Sequence, residues 1–329
     1  MKKTDTEALR ALSNSYNNLK SEIAKQIIGQ SDVIEQVIIS VFCNGHALII
    51  GVPGLAKTML VNTIAQILDL SFNRVQFTPD LMPTDITGTE VIEEDLTTGR
   101  RNFRFVKGPI FANVILADEI NRAPPKTQSA LLQAMQEYNV TYAGNNYQLP
   151  RPFFVLATQN PIEQEGTYPL PEAQLDRFMF TINIDYPDLK DEKEIVKITT
   201  SAYKAELNRI ISASEIIELQ SLIRRMPVAD EVIDKTVKLV NHTRPNSVQN
   251  GTQVKKYVAW GAGPRASQYL ILGAKAKAAL DGRFAPEFSD VIAVTHPVLR
   301  HRIITNFSAE AEGISSDQII EELIKDSKP

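Results

Sequence analysis

Ala47-Leu48-Ile49-Ile50-Gly51-Val52-Pro53-Gly54-Leu55-Ala56-Lys57-Thr58 carries the strongest architectural signal in the chain. Four apolar residues of strand composition enter a turn with two glycines, followed by Lys-Thr and the helix-like run Met59 to Leu68. Strand, glycine turn and helix in this order hold a nucleoside triphosphate. The N–H groups of the turn and of the first helical turn form a concave, positively polarised cradle for phosphate oxygens. Gly51, Val52, Pro53, Gly54, Leu55 and Ala56 are the candidate cradle, and Met59 lies just beyond it. Lys57 would reach the β- and γ-phosphates, and the Thr58 hydroxyl would ligate Mg²⁺. The sequence departs from the strict G-x-x-x-x-G-K-[ST] pattern at Ala56, which stands where the last glycine is expected.

Outward from this loop, the chain is 329 residues long, which suits two domains better than one core. Hydrophobic content of 43% and charged content of 22% are ordinary for a soluble globular protein. A net charge of −4 argues against a dedicated nucleic-acid binder, whose domain is usually basic. Cys43, the single cysteine, sits in an apolar stretch and reads as a buried thiol in a reducing compartment. Lys2-Lys3-Thr4-Asp5 follows Met1 without the apolar segment of a secretory signal, and no apolar run approaches the ~18 residues of a membrane span. The expectation is a cytoplasmic protein with no membrane span.

Leu9, Leu12, Tyr16, Leu19 and Ile23 recur at three- and four-residue spacing and predict an amphipathic helix over 5–26, with a second helix from Asp32 to Phe42. Strand-like segments follow at Ala47–Ile50, Arg74–Phe77, Asn113–Ala117, Phe153–Ala157 and Met179–Ile184, with helical patterns at Lys57–Leu68 and Lys126–Tyr138 between them. That alternation predicts an α/β domain with a largely parallel sheet. Two stretches break it: 85–107, with a turn at Thr97-Thr98-Gly99, and 139–152, with a hairpin signal at Gly144-Asn145-Asn146. From residue 189 the pattern is helical with no strong strand, and Asp188 is placed to cap the first helix. The domain boundary is therefore expected near 186, dividing a nucleotide-binding core (1–186) from a helical domain (187–329). Trp260 and Tyr257 are expected to pack inside the latter.

Four further segments carry chemistry. Asn113-Val114-Ile115-Leu116-Ala117-Asp118-Glu119 is a buried strand ending in two acids. Asp118 would hold Mg²⁺ through water and Glu119 would take a proton from the attacking water. Phe153 to Asn160 is another buried strand with a polar end, where Asn160 would orient the lytic water or a γ-phosphate oxygen. Leu175-Asp176-Arg177-Phe178 offers Arg177 to stabilise the transferring phosphoryl group, the plainer alternative being a salt bridge with Asp176. Gly263-Pro264-Arg265-Ala266 opens a helix and would let Arg265 touch the nucleotide from a moving lid. Arg122, close to the two acids, is a candidate inter-subunit contact. The four histidines, His46, His242, His296 and His301, show no metal-ligand spacing.

Together these residues resemble the MoxR family of AAA+ ATPases over nearly the whole chain. The match is carried by Ile28-Gly29-Gln30, the loop at 51–58, and Ala117-Asp118-Glu119-Ile120-Asn121-Arg122-Ala123-Pro124-Pro125-Lys126. It continues through Ala157-Thr158-Gln159-Asn160-Pro161-Ile162-Glu163, the run Gly166 to Phe178, and Gly263-Pro264-Arg265-Ala266. Alanine at position 56 is what this family carries. The resemblance implies an AAA+ P-loop core followed by a smaller all-α lid. It also implies that Ile28 and Gly29 line an adenine pocket selecting ATP, that Asn160 and Arg265 are the first and second sensors, and that Arg177 is a finger acting on ATP held by a neighbouring subunit. A finger in trans implies a ring, a homo-hexamer in this family. The stretches at 85–107 and 139–152 would be the helix-2 insert and the pre-sensor hairpin. Protein clients, and partners with von Willebrand factor A domains, are the family's usual company.

The leading function on these grounds is Mg-ATP hydrolysis coupled to remodelling or maturation of partner proteins. A nucleic-acid motor, gripping phosphates with Arg100, Arg101, Arg104 and Lys107, is the competing reading. An ATP-gated scaffold with little turnover is a third.

Overall fold

The five apolar positions of the first helix are all at most 2% exposed, as their spacing requires of a helix with one buried stripe. That helix is α1 (Lys3–Ile23). The structure is a computed structural model that describes residues 3–94, 101–163, 165–202, 205–246 and 252–327. After α1 come α2 (Ser31–Phe42), β1 (Ala47–Ile50), α3 (Lys57–Ile67), β2 (Phe72–Gln76), α4 (Pro83–Thr87), β3 (Gly88–Glu94), β4 (Arg101–Lys107) and β5 (Val114–Asp118). The α/β part closes with α5 (Pro125–Glu137), β6 (Asn139–Tyr142), β7 (Asn145–Gln148), β8 (Phe154–Gln159), α6 (Glu172–Leu175) and β9 (Phe180–Asn183).

Five strands form a parallel sheet in the order β2-β5-β8-β1-β9. β5 and β8 are apolar on both faces, so they take central positions covered by helices on each side. Period-two alternation splits the strands between two cores. Val114 and Leu116, Phe154 and Leu156, and Ala47 and Ile49 join the cluster under α1, α2 and α3. Ile115 and Ala117, Val155 and Ala157, and Leu48 face the cluster that includes α5. β1 lies between β8 and β9, while the next strand of the chain, β2, pairs at the far edge. This reversal of order opens a crevice at the carboxyl ends of β1, β8 and β5, where open α/β sheets bind ligands.

The two interruptions are hairpins. β3 pairs antiparallel with β4, and β6 with β7. Ala143 and Gly144, at φ 47° and 81°, make the two-residue turn of the second, the geometry that matches strand twist. The turn expected at Thr97-Thr98-Gly99 lies outside the described residues, and the first interruption opens with α4 in place of extended chain.

Residue 186 lies between β9 and the next helix. From there run α7 (Leu189–Thr199), α8 (Ala213–Arg225), α9 (Asp230–His242), α10 (Thr252–Tyr257), β10 (Val258–Trp260), α11 (Pro264–Leu280), α12 (Phe288–Ala293), α13 (Thr295–Leu299), β11 (Ile304–Thr305), α14 (Phe307–Glu312) and α15 (Ser316–Ser327). The Asp188 carboxylate caps α7 by accepting from the Asp191 N–H at 2.8 Å. Two expectations are corrected. β10 and β11 form a short antiparallel pair in the otherwise helical part, too brief for any periodicity to announce. Trp260 is 72% exposed, whereas Tyr257 is buried. α1 packs against α3 and also against α8 and α11, so one apolar cluster joins the two parts. Among the described residues, no helix is long and apolar enough to cross a membrane.

Candidate active site

The loop after β1 turns on two residues in the left-handed region, Gly54 at φ 87° and Ala56 at φ 54°. Alternating hands of this kind turn successive backbone N–H groups toward one concavity. Ala56 is also the N-cap of α3 and supplies no side-chain cap, so the first-turn N–H groups stay available to an anion. Pro53 through Met59 line a cavity of about 490 Å³ whose other walls are Arg74, Asp118, Glu119, Thr158 and Asn160. Gly51 and Val52 do not line it. Their carbonyls instead accept from the Lys57 ammonium, at 2.5 and 3.2 Å, which folds the lysine back over its own loop. Burial draws the Lys57 pKa below the usual lysine range, opposed by the charges of Asp118 and Glu119.

Parallel register brings the acids to the same rim. Gln76 of β2 stands beside Asp118 of β5, and Ala117 stands beside Ala157 of β8. Asp118 is 8% exposed, and both its oxygens are engaged. Oδ1 accepts from the Thr158 hydroxyl at 2.6 Å, and Oδ2 from Arg74 Nη2 at 2.6 Å and Nε at 3.1 Å. Glu119 follows at φ 55°, an unfavourable backbone for a residue with a Cβ, held by its N–H donating to the Thr158 oxygen at 2.9 Å. Its Oε2 accepts from Gln76 Nε2 at 2.8 Å and Arg122 Nη1 at 3.0 Å. Asn160 is buried and its Oδ1 accepts from the Ile162 N–H at 3.1 Å, which leaves the amide N–H₂ as the donor on that side chain.

A second cavity, of about 340 Å³, shares Pro53, Gly54, Leu55, Ala56 and Met59 with the first. Ile27, Ile28, Tyr186, Pro187 and Val196 give it apolar walls of the kind a planar base requires. Gly29 lies behind Ile28 at φ 68°, where an added Cβ would come within 2.1 Å of the Asp191 carboxylate.

Lys57, Thr58, Asp118, Glu119 and Asn160 are thus brought to one cavity. Arg177 and Arg265 are not. They line a separate cleft of about 180 Å³ with Asn44, His46, Tyr138 and Tyr269, to which no residue of the phosphate loop contributes. The expectation that Arg265 reaches the nucleotide is therefore not met within one chain. Arg265 pairs with Asp176 at 3.0 Å. Arg122, expected at an inter-subunit contact, pairs within the chain with Glu119 and, at 3.7 Å, with Glu163. Sequence reading passed over Arg74, Gln76 and Thr158, whose roles depend on the β2–β5–β8 register and carry no local signal.

The family model for the ATPase family associated with various cellular activities (AAA) matches residues 46–180, and that for the AAA lid domain matches 250–323. Chaperone MoxR1 of Mycobacterium tuberculosis is 41% identical over 97% of this chain and 83% of its own length. Protein MoxR of Paracoccus denitrificans is 32% identical, covering 88% of each chain. The crystal structure of a Cytophaga hutchinsonii protein superposes with a TM-score of 0.91 at 42% identity, over 98% of this chain and 97% of that one. With the P-loop, the acid pair, Asn160 and the helical lid on one parallel-sheet scaffold, the chain belongs to the MoxR family of AAA+ ATPases.

Proposed function

We propose that this protein hydrolyses Mg-ATP at sites shared between neighbouring copies in a ring, six in the family pattern, and uses the turnover to remodel partner proteins. The observation that carries this reading is the split of the machinery. One cavity is lined by Lys57, Thr58, Asp118, Glu119 and Asn160, the residues suited to phosphate, metal and proton, while the two arginines suited to transition-state charge line a different cleft. A second copy would have to supply them.

The loop N–H groups and Lys57, released from its carbonyl contacts, bind the triphosphate and neutralise its charge. The hard oxygens of Thr58 and Asp118 fit Mg²⁺, which these residues would hold and which would offset negative charge developing on the phosphates. Asn160 orients a water in line with the γ-phosphorus. Glu119 accepts a proton from that water as its oxygen bonds to phosphorus and the bond to the β–γ bridging oxygen breaks, leaving ADP and phosphate. Gln76 and Arg122 hold the Glu119 carboxylate before the reaction. Ile28 and the apolar walls around it take the adenine.

The first hairpin favours a polypeptide client over nucleic acid. Ile92 and Phe103 stand opposite each other at 61% and 72% exposure, an apolar pair open to a chain. Of the arginines that could grip phosphate, Arg104 pairs with Glu93 at 2.7 Å and Arg101 with Glu94 at 3.7 Å, while Arg100 lies outside the described residues. Proteins with von Willebrand factor A domains are the partner class this reading carries over from the family.

The test is ATPase rate per chain against protein concentration at saturating Mg-ATP. We expect a rate that climbs and levels off. Glu119→Gln should keep ATP binding and lose turnover by at least ~100-fold, and Lys57→Ala should lose binding. Arg177→Ala should bind ATP and fail to turn over. Mixing it with Glu119→Gln should recover activity, because one interface then joins an intact base to an intact finger. Assemblies that stay inactive in every mixture would refute the shared site.

A further inference from the structure

A guanidinium carries five N–H donors and does not shed its charge in a protein, so a buried one must be satisfied on every side. Arg302, in the turn after α13, is 6% exposed. Its Nε donates to Asp176 Oδ1 at 2.7 Å, and its Nη2 donates to the carbonyls of Asp176 at 3.0 Å and Phe178 at 2.8 Å. Its Nη1 donates to the carbonyls of Met179 at 3.3 Å and Val298 at 2.5 Å. All donors but the one to Val298 therefore go to residues 176–179, the segment that brackets Arg177. The neighbours of Arg302 add to the grip: Arg300 Nη1 donates to the Thr181 carbonyl at 3.0 Å, and His301 Nε2 lies 3.2 Å from the Phe178 carbonyl. The remaining Asp176 oxygen, Oδ2, accepts from Arg265 Nη1 at 3.0 Å. One carboxylate thus ties the buried Arg302 to Arg265, while Arg302 fixes the backbone on both sides of Arg177.

We infer that Asp176 and Arg302 are positioning residues, a clasp that presents Arg177 of the core and Arg265 of the helical part as one two-arginine unit to the triphosphate of a neighbouring copy. The inference rests on the shared-site reading above. Neither clasp residue would touch ATP. Their work is to fix the direction from which two long side chains start, and a misplacement near 1 Å at a reacting centre can cost ~100-fold in rate. A second consequence follows for the lid. The turn from α13 to β11 is bonded to residues 176–179, so drawing the helical part away from that segment would break these bonds.

The experiment uses Asp176→Asn, which keeps the side chain's size and removes its charge. Alone, this variant should bind ATP with wild-type affinity and an unchanged KM, while kcat falls ~10- to 100-fold. Mixed with Glu119→Gln it should recover, because the Glu119→Gln copies bring an intact clasp to sites whose base is intact. Mixed with Arg177→Ala it should not recover. A wild-type rate for Asp176→Asn alone would overturn the clasp. So would recovery of Arg177→Ala but not of Asp176→Asn by the same Glu119→Gln partner, since that pattern marks general damage to the fold. No recovery even for Arg177→Ala would sink the shared site, and the positioning role with it. Should Asp176→Asn fail to fold, Arg302→Lys, which keeps the charge but offers three donors in place of five, goes through the same mixtures and is judged by the same results.

Discussion

At the scale of single residues, the site combines groups chosen for chemistry with backbones that other residues would occupy more easily. Ala56 holds φ 54° with its methyl exposed, so a glycine there would remove left-handed strain and lose no packing. Against that, glycine loses more entropy on folding, and the net gain should be about 0.5–1 kcal/mol. Thermal unfolding of Ala56→Gly without nucleotide should show a Tm higher by roughly 1–3 °C. A lower Tm would mean the alanine methyl does something the structure does not show. Glu119 sits at φ 55° for a different reason: that turn swings its carboxylate off the line of β5 toward Gln76 and Arg122. Lys57, Thr58, Asp118, Glu119 and Asn160 were all legible in the chain, because each ends a strand or opens a helix of evident composition. Arg74 was not. Its partner Asp118 is 44 residues away in sequence, and only strand pairing makes them neighbours. Cys43 fits its reading as a buried thiol: burial pushes its pKa up to about 12, and its Sγ lies 3.3 Å from the Leu272 carbonyl.

Among the elements, the two hairpins are joined to each other as well as to the sheet. Phe105 of β4 stacks on Tyr147 of β7 with ring centroids 4.0 Å apart and planes at 19°, and it also approaches Tyr142 and Phe111. Phe103 and Ile92 lie further out on the same face of β3–β4, since residues two apart share a face. A displacement of one hairpin is therefore passed to the other through an aromatic contact worth about 1 kcal/mol beyond its buried area. Phe105→Ala should leave ATP binding unchanged and raise amide exchange in β3–β4 roughly fivefold. Exchange equal to wild type would show that each hairpin stands alone. The hairpins were visible in sequence as turn signals between short extended runs. Their mutual contact was not, because Phe105 and Tyr147 belong to different hairpins.

For the molecule as a whole, the buried His46 and the half-buried His301 contribute to how the fold responds to acid. His46 is 5% exposed; its Nδ1 accepts from the Val155 N–H at 3.0 Å and its Nε2 lies 3.1 Å from the Met135 carbonyl, so the neutral ring ties β1, β8 and α5 together. Burial lowers its pKa to about 4, and His301 is held well below its usual value by burial and by Arg302. The unfolded chain binds a proton at His46 near pH 6.5 and the folded one only near pH 4. The neutral ring's contribution is therefore complete above about pH 6.5 and is lost as pH falls toward about 4, a loss of about 3 kcal/mol from this group. Denaturant midpoints measured from pH 7 to 4.5 should fall with acidity, and His46→Gln should make that fall shallower by close to one proton. An unaltered slope would assign the acid response to other groups. The P-loop, the acid pair, the strand-helix alternation of the α/β part, the capping of α7 and the family were all legible in the chain, because each is written in local composition or in period-two and three-to-four spacing. Only the packing in three dimensions settles that Arg74 holds Asp118, that Trp260 faces outward, and that Asp176 joins Arg302 to Arg265 apart from the phosphate loop. Those outcomes depend on which strands pair and which buried charges find partners across more than a hundred residues of chain, and no local pattern encodes such closures.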